Sequence, residues 1–559
     1  MDSINSIHDT IVKNLRNENR IVTVSKLFTQ LETDLERYEL GSLLLDEFDI
    51  SPAVDGPCHK NAGQSEKLRN EGNSAFLKGQ DLNAIQCYTS SAGFAPNESR
   101  ELALAYANRS AVTFALKQYD ECLKDIDRAL SGYYPDNLRY KLYERKGKCF
   151  KFTGDNESAR ENYIKSQEWL AKSNLKKDKQ ASYNSSLELS LSDLDKDCEN
   201  MVVVRLGQLS EKLELSFPPN DEILCACDAL KIEYSEEFGR HVVATKDILP
   251  GQILAIERPF ASILLPTSYT EYCFHCLKRC HSLLPCTGCV KVFFCSASCR
   301  EVSWRQSHCI DCSLLERLYN FGCSNLEILS VRTLILAARV DKFCDVIKMI
   351  DGLNKDVDPR QLGFNEQGKY DSSDYRASHC LARNTELRSP ADLFRRVIFA
   401  VCAIHFIDRH TDFFEINSSP AKYDKCNGND LLMMRCQAGG LLLRYMQIIP
   451  CNGHEVSEMC VTLGGERNNN PSTNLTTAPT PNYTPTPEDE EDGSKRSTSY
   501  FDYACNEIGS ALYPFLSLIN HSCDPNVVRH SYNGDAVVLS AIQGVRKGEQ
   551  VSQNHPTSE

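Results

Sequence analysis

Small and apolar residues recur with a period of 37 to 38 positions between residues 65 and 170. When Gly72, Ser110 and Gly147 are aligned, two further columns come into register: Ala84 with Cys122 and Ala159, and Tyr88 with Ile126 and Tyr163. Small residues at fixed sites let paired helices approach closely, and larger residues fill the groove between them. The pattern therefore predicts an array of three helix pairs.

The rest of the chain divides into stretches of different character. Short β-branched runs between Ala229 and Leu265, separated by a turn at Pro250-Gly251, predict a small β-meander. A stretch rich in Asn, Thr and Pro predicts a disordered linker. We predict an α+β multidomain protein with these segments: an N-terminal helical segment (1–60), the repeats (61–170), a helical connector (171–228), two strand-rich segments (229–272 and 500–559), a cysteine-rich module (273–312), a helical insert (313–466) and the linker (467–499).

The net charge of the chain restricts the kinds of ligand that it is expected to bind. The 559 residues include 62 Lys and Arg against 76 Asp and Glu, which gives a net charge of −14. Phosphate binding needs an electropositive surface, so direct binding of nucleic acid is not expected. An acidic surface suits a basic substrate peptide, although most acidic surfaces are simply solvated.

No segment predicts secretion or a membrane span. Residues 1–20 lack the apolar run of a signal peptide. The most apolar stretch, Leu431–Ile449, is interrupted by Arg435 and Arg444, and it predicts a buried helix. We therefore expect a cytoplasmic and nuclear protein without membrane contact. Its 26 cysteines are then expected to be thiols and metal ligands instead of disulfides.

Four ligand pairs crowd into forty residues of the cysteine-rich module. Cysteines two or three residues apart turn both sulfurs onto one Zn²⁺, and two such pairs close a tetrahedral structural site. Eight ligands predict two ions and no open coordination position; the alternative is a scatter of free cysteines. The pairs are Cys273 and Cys276, Cys286 and Cys289, Cys295 and Cys299, and His308 and Cys312.

The order of these pairs resembles the MYND finger, in which ligation is interleaved. The resemblance implies Cys273, Cys276, Cys295 and Cys299 on one ion, and Cys286, Cys289, His308 and Cys312 on the other. Trp304, four residues before the histidine, also fits, whereas Cys280 and Cys309 lie outside the pattern and are expected to be spare thiols. MYND fingers bind proteins, often proline-rich peptides, so such peptides are expected partners.

Two separated segments resemble the SET methyltransferase fold. Residues 518–526 read LINHSCDPN, which matches the SET signature in which Asn520 and His521 hold S-adenosylmethionine. Residues 238–251 resemble the opening of SET domains, where Gly239 and Arg240 approach the cofactor; His241 replaces the second glycine of that turn. An ordinary glycine turn and an Asx-rich turn are the alternatives for the two segments.

A zinc finger lying between two SET segments resembles the Smyd family of SET and MYND domain-containing proteins, and the N-terminal period resembles tetratricopeptide repeats. The resemblance covers residues 65 to 550. It implies helical repeats followed by a split β-rich SET domain with an inserted MYND finger and helical insertions. The implied activity is S-adenosylmethionine-dependent methylation of lysine on protein substrates. Asn452, in a Cys-Asn segment, is implied as a further cofactor contact.

The chain departs from the family at its end. His555 stands where the catalytic tyrosine is expected, and the post-SET cysteines that would join Cys523 on a third zinc are absent. From this the chain is expected to be truncated, to lack the strand that completes the SET knot, and to show doubtful activity. The alternative function is a catalytically inactive adaptor that joins proteins through its repeats and finger.

The repeats carry a second candidate site. Arg69 and Asn73 are one helical turn apart, Asn108 follows in the next repeat, and Lys141 and Arg145 repeat the spacing. Stacked repeats would align these side chains along one concave groove. They resemble the carboxylate clamp of repeat proteins that grip acidic C-terminal tails of cytosolic heat-shock chaperones. The alternative is that they cap and solubilise their helices.

Overall fold

The computed structural model describes most of the chain. The predicted linker at 467–499 and His555 lie outside the described residues, as do residues 197–212 of the predicted connector. The described ranges are 3–196, 213–341, 343–353, 357–417, 428–463 and 501–554.

Ten helices make up the first described range. Ser3 and Thr33 form capping boxes at the starts of the first and third, in which each side chain accepts a hydrogen bond from a backbone N–H that has no partner within the helix. The helices are α1 (Ile4–Asn17), α2 (Ile21–Gln30), α3 (Asp34–Glu47), α4 (Ala62–Leu77), α5 (Asp81–Phe94), α6 (Arg100–Ala115), α7 (Tyr119–Ser131), α8 (Arg139–Phe152), α9 (Asn156–Ala171) and α10 (Lys177–Lys196).

Helices α4 to α9 form the three predicted pairs, and the glycines of the repeat show why the period exists. A Cβ on Gly72 would lie 2.7 Å from the ring of Tyr88, and one on Gly147 would lie 2.7 Å from the ring of Tyr163. Real Cβ atoms essentially never approach so closely, so each aromatic ring occupies the space that a side chain would need. The prediction of a repeat array is confirmed.

The predicted connector divides between two neighbours. Helix α10 buries Leu187 and Leu194 against Tyr140 and Tyr163, so it completes the repeat array instead of linking it to the next domain. Residues 213–228 already belong to the SET core, where Ile223 is buried. Apolar side chains decide this division, because each half covers a surface that would otherwise face water.

Among the described residues, twelve strands form the sheets of the SET region and finger. The expected meander does not form, because only the first two strands pair with each other; β3 pairs with β11 and β4 pairs with β8. The strands are β1 (Leu230–Ser235), β2 (Gly239–Ala244), β3 (Ile253–Glu257), β4 (Ala261–Leu264), β5 (Leu284–Pro285), β6 (Phe293–Phe294), β7 (Gly453–Leu463), β8 (Phe501–Leu512), β9 (Asn520–His521), β10 (Val527–Tyr532), β11 (Ala536–Ala541) and β12 (Ser552–Gln553).

These pairings join the two separated segments into one split domain. The sheet orders are β10-β11-β3 and β4-β8-β7, and β9 lies parallel to β12. Strands from residues 253–264 are therefore hydrogen-bonded to strands from residues 501–541. This is the split SET arrangement that the resemblance implied.

The helical insert packs beside the sheets, and a π-helical turn at Trp304–His308 precedes its first long helix. Helix α18 is largely buried along residues 438–449 of the predicted stretch 431–449, whereas Leu432 and Met433 near its start are exposed. Among the described residues, no helix is both long and apolar enough to cross a membrane. The helices of the finger and the insert are α11 (Ala297–Ser303), α12 (Cys309–Asn320), α13 (Asn325–Asp341), α14 (Phe343–Asp351), α15 (Tyr375–His379), α16 (Pro390–His410), α17 (Phe413–Asn417) and α18 (Gly428–Asn452).

The N-terminal helices, whose role the sequence does not reveal, are part of this core. Helix α3 packs on α16 and α18 at glycine contacts: a Cβ on Gly439 would lie 2.1 Å from Tyr38, and one on Gly41 would lie 2.2 Å from Val397. Asp34 is buried and accepts a hydrogen bond from Gln447 of α18. Residues 3–47 thus form one wall of the SET region.

Candidate functional site

The finger brings its eight predicted ligands into two groups. Their donor atoms lie within 4.8 Å of one another in each group, and the groups are the two interleaved sets that the resemblance implied: Cys273, Cys276, Cys295 and Cys299, and Cys286, Cys289, His308 and Cys312. The groups could each hold one metal ion, since every member offers one donor atom.

The distances within the groups test whether a metal fits. Tetrahedral zinc–sulfur bonds of about 2.3 Å place neighbouring sulfurs about 3.8 Å apart. The Sγ–Sγ distance is 3.7 Å from Cys276 to Cys295 and 3.8 Å from Cys286 to Cys312. A Cβ on Gly288 would lie 2.7 Å from the Cys312 sulfur, so the tight knuckle requires glycine there. Both groups fit a small tetrahedral ion.

The finger also docks on the repeats, a feature that the sequence did not suggest. The guanidinium of Arg109 on α6 is fully buried and forms a two-bonded ion pair with Asp125 at 2.7 and 2.8 Å. The same guanidinium donates to the backbone carbonyl of Leu283, in the finger, at 2.8 Å. Arg109 therefore connects two helices of the repeats to the loop that precedes β5.

A second, partly buried contact supports this docking. Glu121 on α7 accepts hydrogen bonds from the backbone N–H and the hydroxyl of Ser282 at 3.0 and 2.6 Å, and from the thiol of Cys280 at 3.2 Å. Burial opposes ionisation of this carboxyl, yet hydrogen bonds from Lys124 and Ser282 lower the pKa of Glu121 to about 2. Cys280, expected to be a spare thiol, thus lies in the interface between finger and repeats.

The SET signature lies where two chain segments cross. Ser552 and Gln553 of β12 pair with Asn520 and His521 of β9, and the N–H of Ser522 donates to the Gln553 carbonyl at 2.9 Å.

 That backbone hydrogen bond extends the pairing beyond β9. The side chain of Asn526 accepts from the N–H of Ser552 and donates to the carbonyl of Gln550, both at 2.9 Å. The expectation of a missing final strand did not foresee β12, the short strand at Ser552–Gln553 that pairs with β9.

The first SET segment reaches the same crossing. The side-chain amide of Asn520 donates to the backbone carbonyl of Phe238 at 3.2 Å, directly before β2. Gly239 has a φ of +62°, and beyond its two chain neighbours no residue has an atom within 4 Å of where its Cβ would be. Glycine adopts this left-handed conformation without strain, and the space beside it is open for a ligand. His521, the residue that follows Asn520 on β9, is exposed.

Arg240 and Asn452 lie around this space but use their donors on the protein itself. The guanidinium of Arg240 donates to the carbonyls of Leu362, at 2.6 Å, and Cys380. The amide of Asn452 donates to the carbonyl of Ala382 at 2.8 Å. Both side chains therefore fasten the 380–382 segment of the insert beside the crossing. In this structure they position the wall of the site, whereas Gly239, Asn520 and His521 border the open space.

Sequence reasoning missed one residue of this region, Glu257 at the end of β3. Its carboxylate is 1% exposed and accepts hydrogen bonds from the hydroxyl of Ser372 at 2.5 Å and from the N–H groups of Phe515 and Leu516, both at 2.8 Å. The available signal was an acidic residue closing an otherwise apolar strand. A buried carboxylate requires such donors, because unpaired it would be strongly destabilising.

The predicted groove residues converge on the inner helices α4, α6 and α8. The Asn73 side-chain oxygen accepts hydrogen bonds from the amide of Asn108 and from the hydroxyl of Tyr88, both at 2.8 Å. Arg145 reaches across to α6 and donates to the carbonyl of Ala107 at 3.0 Å. The two remaining predicted residues flank this row: Arg69 is half-buried near Glu66 on α4, and Lys141 is exposed on α8.

The comparison with protein families decides the identity of the split domain. The SET domain model matches residues 239–555, which is more than half of the chain. The chain belongs to the SET domain family. The matched range includes both separated segments, with the finger and helical insert between them.

Relatives of this SET family member agree with the family resemblance. It is 27% identical to chicken "Protein-lysine N-methyltransferase SMYD4" over 552 residues, covering 88% of this chain and 68% of the chicken protein. It is 26% identical to the mouse protein of that name, covering 86% of this chain and 62% of the mouse protein. The chain thus spans about two thirds of the length of these curated relatives. The predicted membership of the SET and MYND family is confirmed.

Solved structures of other proteins are similar to about a quarter of this chain. "First TPR of Spaghetti (RPAP3) bound to HSP90 peptide SRMEEVD" is 21% identical, with a TM-score of 0.20, and the match covers 24% of this chain and 98% of that one.

Proposed function

We propose that this protein is an S-adenosylmethionine-dependent protein-lysine N-methyltransferase. The observation that carries the proposal is the crossing of β9 and β12, which holds Asn520 and His521 beside the open backbone of Gly239. Membership of a methyltransferase family supports it, as do the names of the chicken and mouse relatives.

The residues around the crossing fit this cofactor. Asn520 and His521 are polar groups at the border of an open space, and Gly239 lets a ligand approach the backbone closely. When bound, S-adenosylmethionine supplies an electrophilic methyl group. Arg240 and Asn452 hold the neighbouring insert by binding the backbone carbonyls of Leu362 and Ala382. The chain's contribution is orientation, because a lysine amine must meet the methyl group in line.

Transfer of a tritium-labelled methyl group to proteins is the direct test. His555 stands at the expected tyrosine position, so we expect little transfer by the 559-residue polypeptide and a clear gain in the variant His555→Tyr. Asn520→Ala in the same background should remove that gain. If all three remain at background although cofactor binds, the inactive adaptor becomes the better account.

We also propose that the finger holds two structural zinc ions. Two closed groups of four ligands leave no position for a substrate, and their sulfur spacings suit tetrahedral zinc. Elemental analysis of the pure protein should find two zinc ions per chain; three or none would contradict the assignment.

Trp304 is 43% exposed on the π-helical turn, and it is the aromatic side chain available there to a proline-rich peptide.

The repeats support a second, compatible role as a binding site for acidic C-terminal tails. A hydrogen bond between Asn73 and Asn108 joins two of the predicted clamp residues from neighbouring repeats, which supports this role. The finger docks through Glu121 of α7 and Arg109 of α6, whereas Lys141 on α8 is exposed. Basic side chains at Arg69, Lys141 and Arg145 supply charge for a carboxylate.

A fluorescence anisotropy titration with a labelled acidic C-terminal peptide tests this role. We expect micromolar affinity that weakens with salt. Lys141→Glu with Arg145→Glu should abolish binding, as should removal of the peptide's terminal carboxylate. Lys165→Glu with Lys179→Glu, on the outer helices α9 and α10, changes charge equally and should leave binding intact. Equal loss in both double variants would indicate charge attraction without a clamp.

A further inference from the structure

The Glu257 carboxylate is buried without a cation. Among the described residues, none of the ion pairs includes it, and its partners are one hydroxyl and two backbone N–H groups. The adjacent Arg258 points to the other side of the strand and pairs with Asp535 at 2.8 Å. Glu257 is therefore stabilised by hydrogen bonds to uncharged groups, and it gives those groups their orientation in return.

Its two backbone partners lead directly into the SET signature. Phe515 and Leu516 enter the 3-10 turn Leu516–Leu518, which ends one residue before β9. The first N–H groups of a helical turn have no partner within it, so an acceptor from elsewhere must satisfy them. Glu257 supplies that acceptor for both. The turn that precedes Asn520 and His521 is thereby hydrogen-bonded to the end of β3.

Other contacts fix the same turn from different sides. The hydroxyl of Tyr370 donates to the carbonyl of Pro514 at 3.1 Å, and the amide of Gln553 donates to the carbonyl of Leu516 at 3.1 Å. The hydroxyl of Ser517 donates to the carbonyl of Asn452 at 3.2 Å. These bonds hold carbonyls and a side chain, whereas Glu257 holds the N–H groups at the start of the turn.

The ionised carboxylate suits these donors best. One oxygen accepts from Ser372 and Phe515, and the other accepts from Leu516. A proton on either oxygen would compete with a backbone N–H for the lone pairs. Burial raises the pKa of Glu257 to about 7, although its three hydrogen bonds oppose the rise. The carboxylate thus changes charge close to neutral pH.

The titratable groups around Glu257 do not change charge in that range. Burial raises the pKa of the Cys225 thiol and of the phenols of Tyr370 and Tyr513, and the negative charge of Glu257 adds to each rise. These three groups are therefore neutral near pH 7. Asp371, beside Ser372, accepts hydrogen bonds from Ser373.

We propose that Glu257 is a positioning residue that fixes the turn before Asn520 and His521 for cofactor binding. The inference rests on the proposed methyltransferase function, since it assigns a role in holding the same site. Glu257 lies behind the turn, and it acts on the cofactor through the backbone of residues 515–521. In Glu257→Gln, an amide NH₂ faces one of the two N–H groups, so that group loses its acceptor.

Hydrogen exchange of the ligand-free full chain tests the positioning. In Glu257→Gln we expect amides of residues 515–522 to exchange at least about tenfold faster, the equivalent of one lost hydrogen bond to a charged group. Amides of the repeats should be unchanged. Glu233→Gln on β1, whose carboxylate pairs with Lys231, is the matched control and should leave the turn unaffected. Unchanged exchange at 515–522, or equal acceleration throughout the chain, would overturn the inference.

Calorimetric titration with S-adenosylmethionine across pH 6 to 8 supplies the second readout. Affinity in the wild type should rise with pH as Glu257 ionises, whereas Glu257→Gln should bind about tenfold more weakly without that step. Ser372→Ala removes one donor to the ionised form, so it should move the step to higher pH while the fold is kept. A step at the same pH in both variants and the wild type would overturn the inference. Absence of binding by the wild type would overturn the proposed function instead, and hydrogen exchange would still decide the role of Glu257.

Discussion

The finger and the cofactor crossing are built in opposite ways. The finger's ligands all lie within residues 273–312, and their spacing alone defines two closed groups. The crossing is assembled from Gly239, Asn520 and the 550–553 segment, and Glu257 and the 380–382 segment support it from outside. A metal site fixes its ligands through coordination bonds, whereas the crossing depends on hydrogen bonds and on the core behind it.

The finger and the crossing therefore depend on different interactions for their stability. The finger adds Phe274, Phe293 and Phe294 to the core, but its loops are held together by the ligand groups. It then offers the loop at Ser282 and Leu283 to the repeats. Removal of metal should therefore affect the finger and its contact with the repeats, and it should leave the crossing largely intact.

Removal of the metal by a chelator should distinguish the finger from the crossing most strongly. Because metal binding supplies much of the folding free energy of such a module, a zinc chelator should unfold residues 280–296 and release the repeats. Hydrogen exchange should show loss of protection there and at Glu121 and Arg109, with protection retained in β9 and β12. Loss of protection throughout the SET region would show that the crossing also depends on the metal.

Arg109→Met tests the docking of the finger. The variant leaves Asp125 buried with only Arg128 as a charged partner, and it removes the hydrogen bond to Leu283. Breaking a buried ion pair costs about 3–5 kcal/mol, so denaturant unfolding should shift by about that amount. Arg128→Met, at a side chain that is 19% exposed, should cost less. Equal small effects of the two variants would contradict a central role for Arg109.

The pH dependence of the free energy of unfolding tests the burial of Glu257 behind the cofactor crossing. The pKa of Glu257 is raised from 4.5 to about 7, so the folded state binds the proton more tightly than the unfolded state does. Its contribution to stability is present below pH 4.5 and is lost as pH rises through about 7. The wild type should therefore lose about 3 kcal/mol relative to Glu257→Gln across that window. Parallel stability curves for the two proteins would contradict the burial of an ionisable group.

The sequence predicted sites whose residues are close together along the chain, and it did not predict contacts between residues that are far apart along it. The zinc ligands, the repeat positions Gly72 and Gly147, and the signature at Asn520 are written in short spacings. Glu257 and Phe515 are 258 residues apart, and Arg109 and Leu283 are 174 apart, so no spacing rule brings them together. The strand at Ser552–Gln553 was missed for a related reason: two residues carry no pattern until their partner at Asn520 is known.

Binding of S-adenosylmethionine, measured by calorimetry on the full chain at pH 8, tests the central claim most directly. The wild type should bind one equivalent, and Asn520→Ala should abolish binding, because Asn520 joins β9 to the backbone before Gly239. Asn174→Ala, in the exposed loop after α9, should bind as the wild type does. Unchanged binding by Asn520→Ala would place the cofactor elsewhere and contradict the account.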